Sequence, residues 1–442
     1  MKKIILLSLT AIILTCCGTQ QPEKPKYVFF FIGDGMGFST VALTKATIAA
    51  TDGKIGFAPL NFSDFPVTGY ATTNAETQLV TCSAAAGTAL ATGQKTSINT
   101  IGMNADRTED LTSIAVKAKQ LGYRSGVATT VSIDHATPAS FYAHVPDRGM
   151  AYEIGLWAAR AGLDLYAGSG WVQPKGKNGD QTDLYAILAD SGYTVLRGNE
   201  KLIGDKVIMT QKEEKDPSQV PYAIDREDND LTLAQITSRA SEYLYGDGKG
   251  KGFFIMIEGG KIDWSGHNQD AATMVRETED LASAVAVALE FYNAHPDETL
   301  IVLTADHETG GLSIGRGERG YDTDLQILRS QKGSKDKLAR AIAETNNWAE
   351  AKEVLREMAG FWKDENLMDI DQKALENIYR TTPGILGNEA ANLINKKAGV
   401  GWATGAHTGV FVPVYAIGAG SGEFSGSMDN TDIPKKIIKL LE

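Results

Sequence analysis

Residues 27–35 read YVFFFIGDG, so that an aspartate, Asp34, comes directly after a fully apolar run. Such an unbroken run is typical of a central strand that is buried on both faces. In α/β folds the chemistry gathers at the carboxyl ends of buried strands, which is where Asp34 stands. A second apolar run, FFIMI at 253–257, ends in the same way at Glu258. We therefore expect both acids at the carboxyl ends of buried strands.

Predicted strands and helices alternate along most of the chain. Further strands are expected at 125–130, 194–196, 206–209, 300–303 and 410–417, and helices at 111–121, 151–161, 183–189, 231–245 and 433–441. This alternation predicts an α/β fold with a mainly parallel central sheet and helices on both faces. Between about 311 and 403 the pattern changes to helix-forming stretches such as KDKLARAIAE and WAEAKEVLREM. This segment is expected to be an inserted helical subdomain over the site.

Residues 80–93 read VTCSAAAGTALATG and predict a helix that begins near Ser83. The first turn of a helix has unpaired N–H groups and a partial positive charge. A serine oxygen there lies in a field that suits an alkoxide or a phosphate group. The alternative from this stretch alone is a buried helix of small residues packed against a sheet.

Metal-ligand types recur at three other places. Asp263 and His267 are four residues apart and therefore share one face of a helical turn. Carboxylate and neutral imidazole are suitable zinc ligands. Asp306 and His307 follow a predicted strand, and they can bind one metal only if the chain turns there. His407 lies between two glycines, which give the backbone freedom near an ion.

Taken together, these stretches resemble the alkaline phosphatase family. The motifs that carry the resemblance come in the family's order: GDGMG at 33–37, TCSAAAG at 81–87, DHATPASFYAHVPDR at 134–148, EGGKIDWSGH at 258–267, TADHETG at 304–310 and TGAHTG at 404–409. The resemblance covers about residue 26 to the end of the chain. It implies a single alkaline phosphatase-like catalytic domain over 26–442.

The resemblance implies hydrolysis of small phosphate monoesters through a phosphoserine on Ser83, with Arg148 gripping the phosphate group. It also implies two Zn²⁺ ions and one Mg²⁺ ion, with Zn²⁺ as the alternative at the third site. The implied ligands are Asp263, His267 and His407 for the first zinc, Asp34, Asp306 and His307 for the second, and Asp34, Thr137 and Glu258 for the third ion.

Three residues depart from the family pattern. Cys82 replaces an acid that some members carry before the nucleophile, so the arginine is expected to be held less firmly. His135 stands near the third ion, and a histidine there makes zinc an alternative to magnesium. Trp264 stands where a lysine or histidine is common, and it cannot add positive charge.

Two other functions stay open at this point. One is a phosphodiesterase or sulfatase on the same metal scaffold, and the sulfatase is disfavoured because Cys82 lacks a C-x-[PS]-x-R setting. The other is a non-catalytic surface protein that binds phosphate or metal, which has no need of a nucleophile. The complete set of ligands together with Ser83 argues against the binding protein, and the phosphodiesterase stays open.

The composition excludes some partners. The chain has 442 residues, 43% of them hydrophobic, and a formal net charge of −12. The acidic balance, without a basic run, argues against a nucleic-acid partner. The resemblance leaves a homodimer open as an alternative to a monomer.

The N-terminus predicts export. Two lysines precede a short apolar run that ends in LTCCG, a pattern that resembles a bacterial lipoprotein signal. We expect a signal peptide at 1–16, a lipid on Cys17, and a polar tether over 17–25. Cys16 is an alternative to Cys17 as the lipidated residue. The alternative to lipidation is ordinary secretion of a protein that carries no lipid. The expected location is the periplasm or the cell envelope, with the lipid as the only contact with a membrane.

Overall fold

The computed structural model describes residues 24–213 and 216–442. The predicted signal peptide, Cys16, Cys17 and most of the tether lie outside the described residues. The strands are β1 (Tyr27–Gly33), β2 (Val67–Thr72), β3 (Arg124–Thr129), β4 (Leu165–Ala167), β5 (Tyr193–Arg197), β6 (Lys206–Thr210), β7 (Phe253–Gly259), β8 (Thr299–Thr304), β9 (Glu308–Thr309), β10 (Leu312–Ile314), β11 (Val400–Trp402), β12 (His407–Thr408), β13 (Val412–Gly418) and β14 (Gly426–Asp429).

The helices alternate with these strands over much of the chain. They are α1 (Phe38–Thr51), α2 (Ser83–Thr92), α3 (Ile114–Gln120), α4 (Ala136–Ala139), α5 (Ala151–Ala161), α6 (Leu184–Asp190), α7 (Leu233–Tyr245), α8 (Lys261–His267), α9 (Ala271–Ala294), α10 (Lys335–Ala343), α11 (Trp348–Ala359), α12 (Gln372–Thr381), α13 (Leu386–Ala398) and α14 (Asp432–Leu441). No helix of the described residues is both long and apolar enough to cross a membrane.

Ten strands form one sheet in the order β14-β2-β13-β8-β1-β7-β3-β4-β6-β5. β1 lies in its middle and pairs in parallel with β7 and β8. All seven residues of β1 and of β7 are buried, as the two apolar runs predict. The predicted α/β architecture with a mainly parallel sheet is confirmed.

Both faces of the sheet are covered because successive strand residues point to opposite sides. Phe29 and Phe253 pack on Phe291 of α9, with ring centroids 5.4 and 5.5 Å away. Their neighbours Phe30 and Phe254 pack on Phe141, which follows α4, at 6.1 and 6.5 Å. The aromatic core therefore extends through the sheet and fixes β1 and β7 between two helical layers.

The structure differs from the sequence prediction at one side of the sheet. β13, expected from the run at 410–417, is antiparallel to both β8 and β2. β2 was not predicted, because it contains a glycine and its residues are mostly half-buried or exposed. The helix expected from residue 111 begins at Ile114, since the Ser113 side chain accepts a hydrogen bond from the Val116 N–H at 3.2 Å and caps it.

Residues 311–403 contain the helices α10 to α13. Strand β10 precedes these helices, β11 follows them, and the two strands pair in antiparallel. Hydrogen bonds attach this segment to the residues that follow α8. The N–H of Lys335 donates to Asp270 at 2.7 Å, and the Asn395 amide donates to the Gln269 carbonyl, also at 2.7 Å. The helical segment therefore lies beside the turn that follows His267.

Candidate active site

The carboxyl edge of the sheet collects three acids from neighbouring strands. Asp34 follows β1, Glu258 lies in β7 opposite Ile32, and Asp306 follows β8, whose Thr304 also pairs with Ile32. Because the three strands are parallel and in register, their carboxyl ends lie side by side. The fold thus places the three acids within one small region.

Ser83 is the first residue of α2 and is 2% exposed. Its Oγ lies 3.3 Å from Nε2 of His307. The first N–H group of α2 that bonds back along the helix is that of Ala86, which donates to the Cys82 carbonyl. The preceding N–H groups surround the serine and leave its oxygen in a locally positive field.

Asp263, His267 and His407 form what we call the outer group. Nε2 of His267 lies 3.1 Å from Nε2 of His407 and 3.4 Å from Asp263 Oδ2, and His407 Nε2 lies 3.5 Å from Asp263 Oδ1. The other nitrogen of each ring is held by a backbone carbonyl, that of Gly405 for His267 at 2.7 Å and that of Thr81 for His407 at 2.9 Å. Both Nε2 atoms therefore point at the same space as the carboxylate.

Asp34, Asp306 and His307 form the inner group. His307 Nε2 lies 3.4 Å from Asp34 Oδ1 and 3.2 Å from Asp306 Oδ2. Asp306 is oriented by the N–H groups of Gly35 and His307, which donate to its Oδ1 at 3.0 and 2.9 Å. The turn that the sequence requires after β8 is present, since Asp306 lies in the bend between β8 and β9.

The third group comprises Asp34, His135 and Glu258, and Thr137 is buried in α4, two residues after His135. His135 Nδ1 lies 3.8 Å from Glu258 Oε1, and its ring is edge-on to Trp264 at 6.1 Å. The Thr129 hydroxyl donates to the other oxygen of Glu258. Of the two residues expected beside the ligands, His135 therefore belongs to this third group, and Trp264 lies against the His135 ring.

The outer group is the more exposed and carries positive charge in the metal-free chain. The hydrogen bond to Asp263 raises the pKa of His267 to about 9. Burial opposes the charge on Asp263, but the hydrogen bonds to His267 and His407 hold the pKa of Asp263 well below its usual range. The carboxylate and the imidazoles thus stabilise one another where no cation is bound.

The inner group is buried and its acids repel one another. Burial, with the neighbouring carboxylates of Asp306 and Asp263, raises the pKa of Asp34 well above its usual range. Burial also raises the pKa of Asp306 to about 7 and lowers that of His307 well below its ordinary value. His307 is therefore neutral, which is the form that binds a metal.

The donor atoms fit metal ions. Both oxygens of Asp34, one each of Asp306 and Glu258, and the hydroxyl of Thr137 are buried and accept no hydrogen bond from the described residues. Buried carboxylate oxygens without a partner are costly, and a cation between them removes that cost. The outer, inner and third groups each bring their ligand atoms within 4.8 Å of one another.

Arg148 is held differently from what the sequence suggests. Its backbone N–H donates to the Asn99 carbonyl at 2.8 Å, and the Asn99 N–H donates to Cys82 Sγ at 3.2 Å. Its guanidinium Nη2 lies 3.1 Å from Nε2 of His135. Cys82 therefore secures the backbone beside the arginine, and His135 provides the contact to the guanidinium.

Sequence reasoning missed two residues, one that contacts the ligands and one that forms a buried ion pair in the helix that carries two of them. Thr309 donates its hydroxyl to Asp263 and lies 3.2 Å from Nδ1 of His307, so it links the outer and inner groups. Lys261 is fully buried at the start of α8, 3.6 Å from Glu277 and over the ring of Tyr222. A lysine directly after a buried strand was a signal for such an ion pair, whereas the threonine carried none.

Comparison with known proteins agrees with this geometry. The family model described as Alkaline phosphatase matches residues 25–162 and 175–442. Alkaline phosphatase 3 of Bacillus subtilis is 32% identical over 435 residues, which cover 95% of this chain and 90% of that relative.

Solved structures share the whole fold. The cold-active alkaline phosphatase of a psychrophilic Shewanella species has a TM-score of 0.80 and 30% identity, covering 94% of this chain and 100% of that chain. A histidine-to-aspartate mutant of the alkaline phosphatase of the Antarctic bacterium TAB5, with Mg bound in its M3 site, has a TM-score of 0.68 and 27% identity, covering 95% and 99%. Because the family model and these relatives span nearly the entire chain, the protein belongs to the alkaline phosphatase family and is a phosphomonoester hydrolase.

Proposed function

We propose that Ser83 is the nucleophile and that the reaction passes through a phosphoserine on this residue. The observation that carries the proposal is the position of Ser83 Oγ, at the N-terminus of α2 and 3.3 Å from the inner-group residue His307. A covalent intermediate divides one difficult displacement into two easier ones.

The outer and inner groups would each hold a Zn²⁺ ion, and Asp34, Thr137 and Glu258 would hold Mg²⁺. Metal ions bound there would supply positive charge to the attacking and leaving oxygens of an in-line displacement and would make the Ser83 alkoxide available near neutral pH. Asp34 is shared between the inner and third groups. Thr309 fixes the positions of Asp263 and His307 relative to each other, because its hydroxyl contacts both.

Trapping the phosphoenzyme tests the nucleophile. The Ser83→Ala protein should yield no phosphoprotein after an acid quench with labelled monoester, and it should retain its metals, because Ser83 is not one of the ligands assigned here. Ser140, another buried serine, serves as the control: the Ser140→Ala protein should still be labelled. Labelling of the Ser83→Ala protein at the normal yield would overturn the assignment.

Arg148 would grip the phosphate group with its planar fork. A monoester is a dianion and has one more free oxygen for this contact than a diester. Charged hydrogen bonds contribute roughly 1.5–3 kcal/mol, so Arg148→Ala should lower kcat/KM for a monoester about 10–100-fold. Diester turnover should fall less, and equal losses for the two substrates would contradict this role.

The third group would accept Mg²⁺ or Zn²⁺, and His135 would influence which of them binds. Its Nδ1 accepts no hydrogen bond from the described residues and faces Glu258. Imidazole favours zinc, whereas carboxylate oxygens favour magnesium. In the TAB5 mutant described above, aspartate in place of a histidine accompanies Mg at the M3 site. His135→Asp should therefore increase activation by Mg²⁺, and an unchanged metal content would contradict the proposed influence.

We further propose that the protein is exported and anchored through a lipid on Cys17. The basic start, the short apolar run and LTCCG support this proposal. Mass spectrometry of the mature N-terminus should find diacylglycerol on Cys17, and an unmodified N-terminus would refute it.

A homodimer is the assembly that the surface supports. Tyr70, Leu79, Val80, Val410 and Phe411 are exposed apolar residues, and the rings of Tyr70 and Phe411 stack at 5.3 Å. An apolar patch of this kind marks an interaction site. Analytical sedimentation should show a dimer, and Phe411→Ser should dissociate it. Ile385 in the helical segment is similarly exposed and serves as the control, so Ile385→Ser should leave the dimer intact.

A further inference from the structure

The amino edge of the sheet, opposite the site, fixes the point where the chain leaves the domain. The N–H groups of Lys26 and Tyr27 donate to the Glu298 carbonyl at 2.7 and 2.9 Å, and the Phe253 N–H donates to the Lys26 carbonyl at 3.1 Å. Lys26 Nζ also donates to the Gly248 carbonyl at 3.3 Å. The chain therefore enters the fold at one defined position, at the start of β1.

The length of chain before this point limits how the domain can sit on a membrane. Even fully extended, the stretch from Cys17 to Lys26 spans at most about 32 Å. β1 and the step to Asp34 cover about 23 Å from the amino edge to the carboxyl edge. A lipid on Cys17 could bring the carboxyl edge to the bilayer only if most of that stretch were extended along the side of the domain.

Two apolar loop tips lie at the amino edge. α1 runs back from the carboxyl edge, and the loop after it exposes Ile55 and Phe57, at 107% and 65%. β6 starts at the amino edge because it is parallel to β4, and the loop before it exposes Ile203 at 59%. Lys54 precedes the first tip and Lys201 lies beside the second. Apolar side chains next to lysines are the pattern of segments that lie in a membrane interface.

Charge adds little to this surface. Lys54 pairs with Asp52 at 3.6 Å, and Lys249, near the same edge, pairs with Asp247 at 3.3 Å. These two lysines are therefore already neutralised, and the apolar tips are the feature of this edge that suits a lipid surface. Contact with a bilayer should depend on Ile55, Phe57 and Ile203 more than on anionic lipid.

We propose that the amino edge docks these tips on the phospholipid bilayer that holds the lipid anchor, so that Ser83 faces away from that membrane. This inference rests on the lipid anchor proposed above. Its consequence is a substrate class: the enzyme acts on water-soluble monoesters and not on phosphate groups of lipids in its own bilayer. The apolar patch around Phe411 lies at the other edge, beyond easy reach of the anchor.

Fluorescence quenching of the full-length lipidated enzyme in phosphatidylcholine vesicles tests the docking. An environment-sensitive dye is attached to a cysteine at position 55, or at position 172 as the control, with Cys82 replaced by serine. Val172 is 39% exposed and follows β4 at the carboxyl edge. Nitroxide-labelled lipid should quench the dye at 55 strongly and the dye at 172 little.

A second pair of variants tests the contact itself. Phe57→Ser together with Ile203→Ser should reduce the quenching at position 55, and added salt should not, while turnover of p-nitrophenyl phosphate stays unchanged. Equal quenching at 55 and 172 in enzyme that mass spectrometry shows to be lipidated would overturn the docking alone. An unlipidated Cys17 would overturn the anchor and, with it, the orientation.

Discussion

The outer and inner groups use the same ligand types in opposite surroundings. The side chain of His267 in the outer group is 40% exposed, whereas those of Asp34, Asp306 and His307 in the inner group have no exposure. The outer group comes from α8 and from the short strand β12, and the inner group follows the two central strands β1 and β8. The outer group is therefore partly open to solvent, whereas the inner group lies within the protein core.

This difference shows why the two halves should respond differently to metal loss. In the outer group, Asp263 and the two histidines neutralise one another by hydrogen bonding when no ion is present. In the inner group, the carboxylate oxygens of Asp34 accept no hydrogen bond from the part of the chain that the structure describes, and the pKa of Asp306 is raised to about 7 by burial. We expect the inner ion to stabilise the fold and the outer ion to exchange with solvent.

The largest effect is expected from Asp306→Asn. The variant keeps an oxygen that can accept the N–H groups of Gly35 and His307, but it loses the charge that holds the inner ion. Activity should fall at least about 10²–10³-fold, the order of loss when one preorganised electrostatic group is removed. Excess zinc should not restore it, and circular dichroism serves as the control for folding. Recovery of full activity in zinc would contradict the distinction between the groups.

A smaller and reversible effect is expected from His267→Ala. Its side chain lies at the rim, and Asp263 and His407 remain in place. Zinc affinity should fall by more than about 10–100-fold, which is the usual loss when a residue that only supports a ligand is removed. Excess zinc should restore much of the activity in a zinc titration. If no zinc concentration raised the activity of this variant, the outer group would respond to ligand loss as the inner group does, and the proposed difference between them would be wrong.

The smallest effect concerns pH. In the metal-free chain the raised pKa of His267 adds stability that is present below 6.5 and lost as pH rises through about 9. The pKa of Asp306 rises from 3.8 in the unfolded chain to about 7 in the fold, so the folded protein loses stability as pH rises through this range. The effect has the same direction as that of His267. Calorimetry should therefore show that the melting temperature of the metal-free protein falls between pH 5 and 9. His267→Gln should make the fall above pH 6.5 smaller, because the raised pKa of His407 and that of Asp306 remain, and a rising melting temperature would contradict the assignment.

The sequence predicted the centre of the molecule better than its margins. The runs at 27–32 and 253–257 could be recognised because a strand buried on both faces needs apolar residues throughout. β2 could not, since an edge region with a glycine and mixed exposure has no clear period. The direction of β13 depends on its pairing with β2 and β8, which no local pattern records.

The candidate site shows the same division. Residue types and motif order nominated the outer group, the inner group and, in the third group, Asp34 and Glu258. The fold brings these residues together and adds His135 to the third group. The contact between Arg148 and His135 could not be foreseen, because it depends on the approach of a loop to the start of α4. Thr309 also gave no signal, since its role comes from the bend between β8 and β9.

The central claim is that the three groups are metal sites, and anomalous diffraction at the zinc edge tests it most directly. Crystals grown with zinc and magnesium should show two strong peaks, one at Asp263, His267 and His407 and one at Asp34, Asp306 and His307. A third site beside Glu258 should show magnesium density or a weaker zinc peak. Zinc peaks elsewhere, or none at the inner group in active enzyme, would contradict the account.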